Sequence, residues 1–148
     1  MLRTAIGGFF VGHGTQKLFG WFGGNGLEAT GKAFESMGMR PGRRNALAAG
    51  LAETGGGTLV ALGAATPLAA SALIATMLTA IKRVHLKNGP WAAKGGYEYN
   101  AVLICGALAL AETGPGSPSV DAALGDRWHG PGWAMLALAL GVAGAAGA

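Results

Sequence analysis

The feature that most limits how this chain can fold is the bunching of its charges between long apolar stretches. Five such stretches, residues 2–22, 45–65, 67–86, 97–113 and 133–148, are dominated by Ala, Gly, Leu and aromatic residues. Most approach the roughly 17 to 25 residues that carry a helix across a hydrocarbon core. Only 12% of the residues are charged, against roughly 25% in an ordinary soluble domain. The same apolar excess argues against disorder, which needs low hydrophobicity and high net charge. In a chain of 148 residues the five stretches leave little for a separate soluble domain. The expectation is a single all-α integral membrane domain of four or five spans, the last of which, 133–148, is transmembrane or interfacial.

The stretches differ in kind. Residues 2–22 have the charged start and apolar middle of a signal peptide, but His13, Gln16 and Lys17 interrupt them and no A-x-A site follows, so they read as a retained helix. Residues 67–86 begin with Pro67, well placed at a helix start where its missing N–H costs nothing, and they form the clearest span. A tight turn around Ala65 and Pro67 makes the second and third helices antiparallel neighbours. The fourth stretch is bounded by Gly95-Gly96 and by Gly114-Pro115-Gly116. Between the first two, residues 23–44 suit a short amphipathic helix with Leu27, Phe34 and Met37 on one side, lying at the membrane interface. Gly8 with Gly12, Ala46 with Gly50 and Thr54, and Gly55 with Gly63 mark faces small enough for close helix contact.

The net charge of +4 does not point to nucleic acid, because the basic residues sit at the ends of apolar segments, where topology signals lie. With five crossings, Lys17, Lys32, Arg40, Arg43, Arg44, Lys82, Arg83, Lys87 and Lys94 gather on one face and Arg3 and Arg127 on the other. The positive-inside rule makes the richer face cytoplasmic and puts the N-terminus outside. Trp21, Trp91, Tyr97, Tyr99, Trp128 and Trp133 fall at segment ends, as interfacial aromatic belts do, and His129 beside Trp128 reads as part of such an anchor. Cys105 is the only cysteine, so no disulfide or CxxC pair forms within one chain.

Depth singles out the chemistry. Counting from the segment ends at 1.5 Å per residue, Lys17 lies about 8 Å, His13 about 13 Å and Glu53 about 12 Å into their helices. Lys82, His85, Glu98 and Asn100 sit in the terminal turns facing the same side. His13, Gln16, Lys17 and Gly20 share one helical face, and Gly50, Glu53, Thr54 and Gly57 share another. Placed opposite each other, they would form a polar pocket. A charge at that depth costs at least about 2.5 kcal/mol unless it is paired or lines a cavity, which makes Glu53 with Lys17 or His13 the expected pair. The pair reads either as a packing ion pair or as a functional site.

Other motifs fail on context. Gly26 to Ala33 matches G-x-x-x-x-G-K, but Ala33 stands where a phosphate loop needs Ser or Thr and no strand precedes it. The three histidines lack metal-ligand spacing, so no metal is expected, and neither a haem ligand pair nor a nucleophile triad is present.

Four ordered motifs carry a resemblance. They are Gly12-His13-Gly14-Thr15-Gln16-Lys17-Leu18-Phe19-Gly20-Trp21-Phe22-Gly23-Gly24-Asn25-Gly26-Leu27, Ala52-Glu53-Thr54-Gly55-Gly56, His85-Leu86-Lys87-Asn88-Gly89, and Gly95-Gly96-Tyr97-Glu98-Tyr99-Asn100. Over residues 3–125 the chain resembles the DoxX family of small bacterial membrane proteins. The resemblance implies a four-helix membrane bundle, residues 1–125, with the segment after Asp121 an addition to the usual core: a C-terminal extension, 126–148, that carries the fifth apolar helix. It also implies association with quinone-linked or thiol and oxidative-stress oxidoreductase complexes of the cell (cytoplasmic) membrane. The family takes its name from a subunit of an archaeal thiosulfate:quinone oxidoreductase.

Two functional readings follow. In the first, the chain is a membrane subunit without a cofactor motif of its own. Its pocket residues His13, Gln16, Lys17, Glu53, His85, Glu98 and Asn100 hold a quinone headgroup, with His13 and Glu53 exchanging protons. In the second, it is a non-enzymatic module that binds or transports a small ligand or scaffolds a larger complex. Either way the partners are the bilayer and other membrane or redox proteins or further copies of the chain, and not nucleic acid.

Overall fold

The computed structural model describes residues 1–125 and 128–148; Arg127, counted above on the less basic face, lies outside the described residues. Among the described residues the chain is all-α, without a strand. Its helices are α1 (Leu2–Phe19), α2 (Gly26–Ser36), α3 (Gly42–Leu62), α4 (Thr66–Ala80), α5 (Glu98–Thr113), the single turn α6 (Val120–Ala123) and α7 (Pro131–Ala146). The α4 helix runs on through a π-helical turn, Ile81–His85, and a 3₁₀ turn, Leu86–Asn88.

Local chemistry sets the ends. Gly20 closes α1 with φ 74°, a left-handed conformation that glycine adopts without penalty. Gly63 closes α3 in the same way, its N–H returning to the Val60 carbonyl at 3.0 Å. Pro67 stands in the first turn of α4, where a missing donor is harmless.

The long helices pack by small residues. A Cβ on Gly14 would collide with the Thr54 backbone nitrogen at 2.6 Å, and one on Gly57 with the Gly7 carbonyl at 2.7 Å. The α1 and α3 backbones are therefore in direct antiparallel contact. Of the small-residue faces expected from the sequence, Ala46, Gly50 and Thr54 do meet a neighbouring helix, whereas Gly8, Gly12 and Gly55 have nothing within 4 Å and face outward. Composition marks which helices are glycine-rich, but the rotation of each helix about its axis decides which glycine meets a neighbour.

One buried cluster joins four helices through Ile6 and Phe10 of α1, Val60 of α3, Leu73 of α4 and Leu103 and Leu110 of α5. A second joins Ala70 and Ile74 of α4, Ala107 and Ala111 of α5, and Ala134 and Ala137 of α7. Thus the C-terminal helix, set apart in the sequence, shares a core with α4 and α5. It runs parallel to α4, with Gly141 against Ile74 and Ser71.

The expected amphipathic helix exists as α2, but it leans on the start of α3 through Thr30 and Gly31, its buried residues. Leu27, Phe34 and Met37 are only half-buried. Glu35 anchors this contact by accepting from the Gly42 N–H at 3.2 Å.

At the opposite end two charged side chains tie the turns together. Asp121 accepts from the N–H groups of Ala65 (2.7 Å) and Thr66 (3.0 Å) and from the Thr66 hydroxyl (2.7 Å). Arg3 donates to the carbonyls of Ala61, Pro115 and Pro118.

Large apolar side chains such as Phe9, Leu51, Leu62, Leu68, Val102 and Leu140 point outward. Among the described residues one helix, Thr66–Asn88 with mean hydropathy 1.3, is long and apolar enough to cross a membrane by length and composition; α7 is apolar but shorter. At 16 residues each, α5 and α7 rise about 24 Å, short of a ~30 Å hydrocarbon core.

Candidate functional site

Lys17 lies one turn before the Gly20 stop of α1, and Glu53 lies one turn after Gly50 on α3. Because the glycines let these helices touch, Lys17 Nζ reaches Glu53 Oε2 at 2.6 Å. The Glu53 residue is 4% exposed. Such a carboxylate needs a charged partner to remain ionised away from water. Lys17 supplies it, and also donates to the His13 carbonyl at 3.4 Å.

The pair borders a cavity of about 720 Å³. Near the Asp121 end, α3 and α4 stay close through Gly56 and Leu73. Farther along, Ala49 and Ala52 of α3 and Ala75 and Ala80 of α4 become opposite walls of the cavity. Phe10 and Leu103 border it from α1 and α5, and Phe34, Met37 and Met39 close one side. Its surface is therefore mostly methyl and methylene, with a few polar groups at defined places.

Of the residues expected to build a pocket, His13, Lys17, Glu53, His85 and Asn100 line this cavity, whereas Gln16 and Glu98 do not. Gln16 is used locally: its Oε1 meets His13 Nδ1 at 3.1 Å, and its Nε2 donates to the Phe22 carbonyl at 3.2 Å, tying down the chain beyond α1. Glu98, in the first turn of α5, is exposed. His85 donates from Nδ1 to the Gly95 carbonyl at 2.7 Å, which fixes its tautomer and leaves Nε2 as the free ring nitrogen in the neutral form. Asn100 is buried, with its Nδ2 against the Met77 sulfur at 3.3 Å.

Five polar wall residues were not singled out as pocket residues in the sequence: Asn45, Thr76, Thr79, Arg83 and Tyr99. Arg83 looks there like a flanking topology charge and Tyr99 like part of the aromatic belt. The usable signal for Tyr99 is its place one residue before Asn100. Nothing in the pattern marks Arg83, because the π-helical turn alters the side-chain register around it. Among the described residues no group of three His, Cys, Asp or Glu side chains gathers as a metal site. The G-K match at Gly31-Lys32 lies inside α2 and binds no strand-to-helix turn. His129, at the far end, is exposed, with its ring over Gly114, and Trp128 stacks on Trp133 at 6.0 Å.

Apolar outward faces, glycine-mediated helix contacts and an ion pair beside a partly open cavity fit a small helical membrane protein. The family model for DoxX matches residues 1–86, more than half of the chain, and the protein belongs to the DoxX family. The match includes His13, Lys17, Glu53 and His85; the Gly95 to Asn100 motif lies beyond it, so family membership rests on a shorter stretch than the resemblance over 3–125. No curated protein and no solved structure matches the chain.

Proposed function

We propose that the chain is a multi-pass subunit of the cytoplasmic membrane, a DoxX-type four-helix bundle of α1, α3, α4 and α5 joined by α7. In this reading its cavity receives a quinone headgroup for a partner oxidoreductase of the quinone-linked or thiol and oxidative-stress kind. The observation that carries the reading is the Lys17–Glu53 pair set in an otherwise largely apolar cavity of about 720 Å³. That volume falls within the ~300–1,000 Å³ of small-molecule sites, which are typically apolar with a few placed polar groups.

The residues present suit a quinone. Lys17 and Asn100 are donors for carbonyl oxygens, and the alanine walls accommodate an apolar ring and tail. A bound quinone supplies two-electron acceptor chemistry that also consumes two protons, with the electrons drawn from the partner protein. His13 and Glu53 hold and pass protons at the edge of the cavity, Lys17 favours the charged form of Glu53 between transfers, and the methyl-lined walls hold the apolar part of the ring.

The exposed apolar face of α7, with Met135, Leu136, Leu140 and Val142, favours a second reading in which the chain is a non-enzymatic binder or a scaffold for other membrane proteins or further copies of itself. The first experiment separates the two. The protein is taken from native membranes into nanodiscs and the quinone in its lipid extract is quantified, for the wild type and for Glu53→Gln. The expected outcome is near-stoichiometric quinone in the wild type and a loss in the variant. No enrichment over bulk membrane would instead support the scaffold.

A further inference from the structure

The side-chain charges lining the cavity do not balance. Glu53 is the only carboxylate side chain among the described lining residues, and Lys17 already occupies it at 2.6 Å. Arg83 is a second fixed cation in the same wall. Its Nη2 donates to the main-chain oxygen of Ala148 at 2.7 Å, while its Nε is buried and has no hydrogen-bond partner. A buried guanidinium N–H left unmatched is costly, and the planar fork of Arg pairs best with an oxyanion that takes two of its donors together. The π-helical turn Ile81–His85 carries Arg83, and turns of this kind often occur where a helix serves a site.

We infer that Arg83 is the specificity-determining residue of the cavity and that it selects an apolar ligand bearing an oxyanion on its head. This deepens the quinone reading and rests on it: the favoured quinone is one with an ionised ring hydroxyl, its apolar body against Ala49, Ala52, Ala75 and Ala80. The same chemistry is offered by a long-chain carboxylate. The main-chain oxygen of Ala148 holds one arm of the guanidinium until the ligand oxyanion displaces it.

The test uses matched probes on the full chain in nanodiscs, with empty nanodiscs as the blank for lipid partitioning. Calorimetry compares an alkyl hydroxynaphthoquinone, anionic at neutral pH, with its neutral methyl ether, and a long-chain carboxylate with its methyl ester. In the wild type the anionic naphthoquinone should bind about tenfold or more tighter than its ether, the worth of a hydrogen bond to a charged group. Arg83→Gln should erase that preference and leave binding of the ether unchanged. Arg83→Lys keeps the charge without the fork, checks that the position tolerates change, and should retain part of the preference. Equal binding of acid and ether, unaltered in either variant, overturns the role of Arg83 and leaves the quinone reading standing. Arg83-dependent binding of the carboxylate without binding of either naphthoquinone supports the role and overturns the quinone. Binding of no probe overturns both.

Discussion

At the level of single residues, the Lys17–Glu53 contact dominates. The Glu53 side chain is 5% exposed and that of Lys17 24%, so removing either partner strands a charge, and the two losses differ. Lys17→Met leaves a carboxylate deep between helices and should destabilise by about 3 kcal/mol, the low end for a broken buried pair because Lys17 retains some water. Combining it with Glu53→Leu should recover much of that loss, since paired apolar replacements of buried ions are often neutral. A double-mutant cycle on thermal unfolding in detergent checks this; additive losses would refute the coupling. The pair was legible in the sequence because depth along a helix follows from counting, and an acid and a base at one depth have few alternatives to each other. The idle position of Gln16 and the inward position of Arg83 were not legible, since both depend on local geometry: a chain reversal at Phe22 and a π-helical turn after Ala80.

Among the helices, contact is a matter of glycine facing. Gly14→Ala should weaken the α1–α3 contact by more than 1 kcal/mol, as overpacking a close backbone contact costs about 1–3 kcal/mol. Gly8→Ala, Gly12→Ala and Gly55→Ala meet open space and should instead stabilise their helices by about 0.5–1 kcal/mol each. Thermal midpoints of the four variants settle the contrast, which would fail if Gly14→Ala behaved like the others. The α3–α4 turn depends on a residue far away in sequence. Asp121→Ala removes the acceptor for two backbone N–H groups and the Thr66 hydroxyl, and should destabilise by about 2 kcal/mol or more. A midpoint within a degree of wild type would show the cap to be dispensable. The five long helices were visible as apolar runs, and their ends follow from Gly20, Gly63 and Pro67. The facing of the glycines was not visible, because in segments this rich in Gly and Ala many pairs fit the same spacing.

At the level of the whole molecule, α7 and topology are the open tests. Removing residues 131–148 uncovers Ala70, Ile74, Ala107 and Ala111, so truncation should lower the thermal midpoint of the remaining bundle. An unchanged midpoint would show α7 to be peripheral. In a Cys105→Ala background, Ser117→Cys should react with an impermeant maleimide on intact cells and Lys94→Cys only after lysis; the reverse pattern would invert the proposed orientation. Membrane residence was determined by the sequence alone, because sparse charge and long apolar runs act through composition and length, whatever the helices later touch. The five long apolar helices and the position of Glu53 along α3 were set at the same level. Tertiary structure alone decided that α3 and α4 part to open a cavity, that α7 fills the flank of α4 and α5, and which polar residues face inward. Those outcomes depend on helix rotation and on contacts between residues far apart in the chain, and a rotation of one residue, about 100°, carries a side chain from the wall of the cavity to the outer surface.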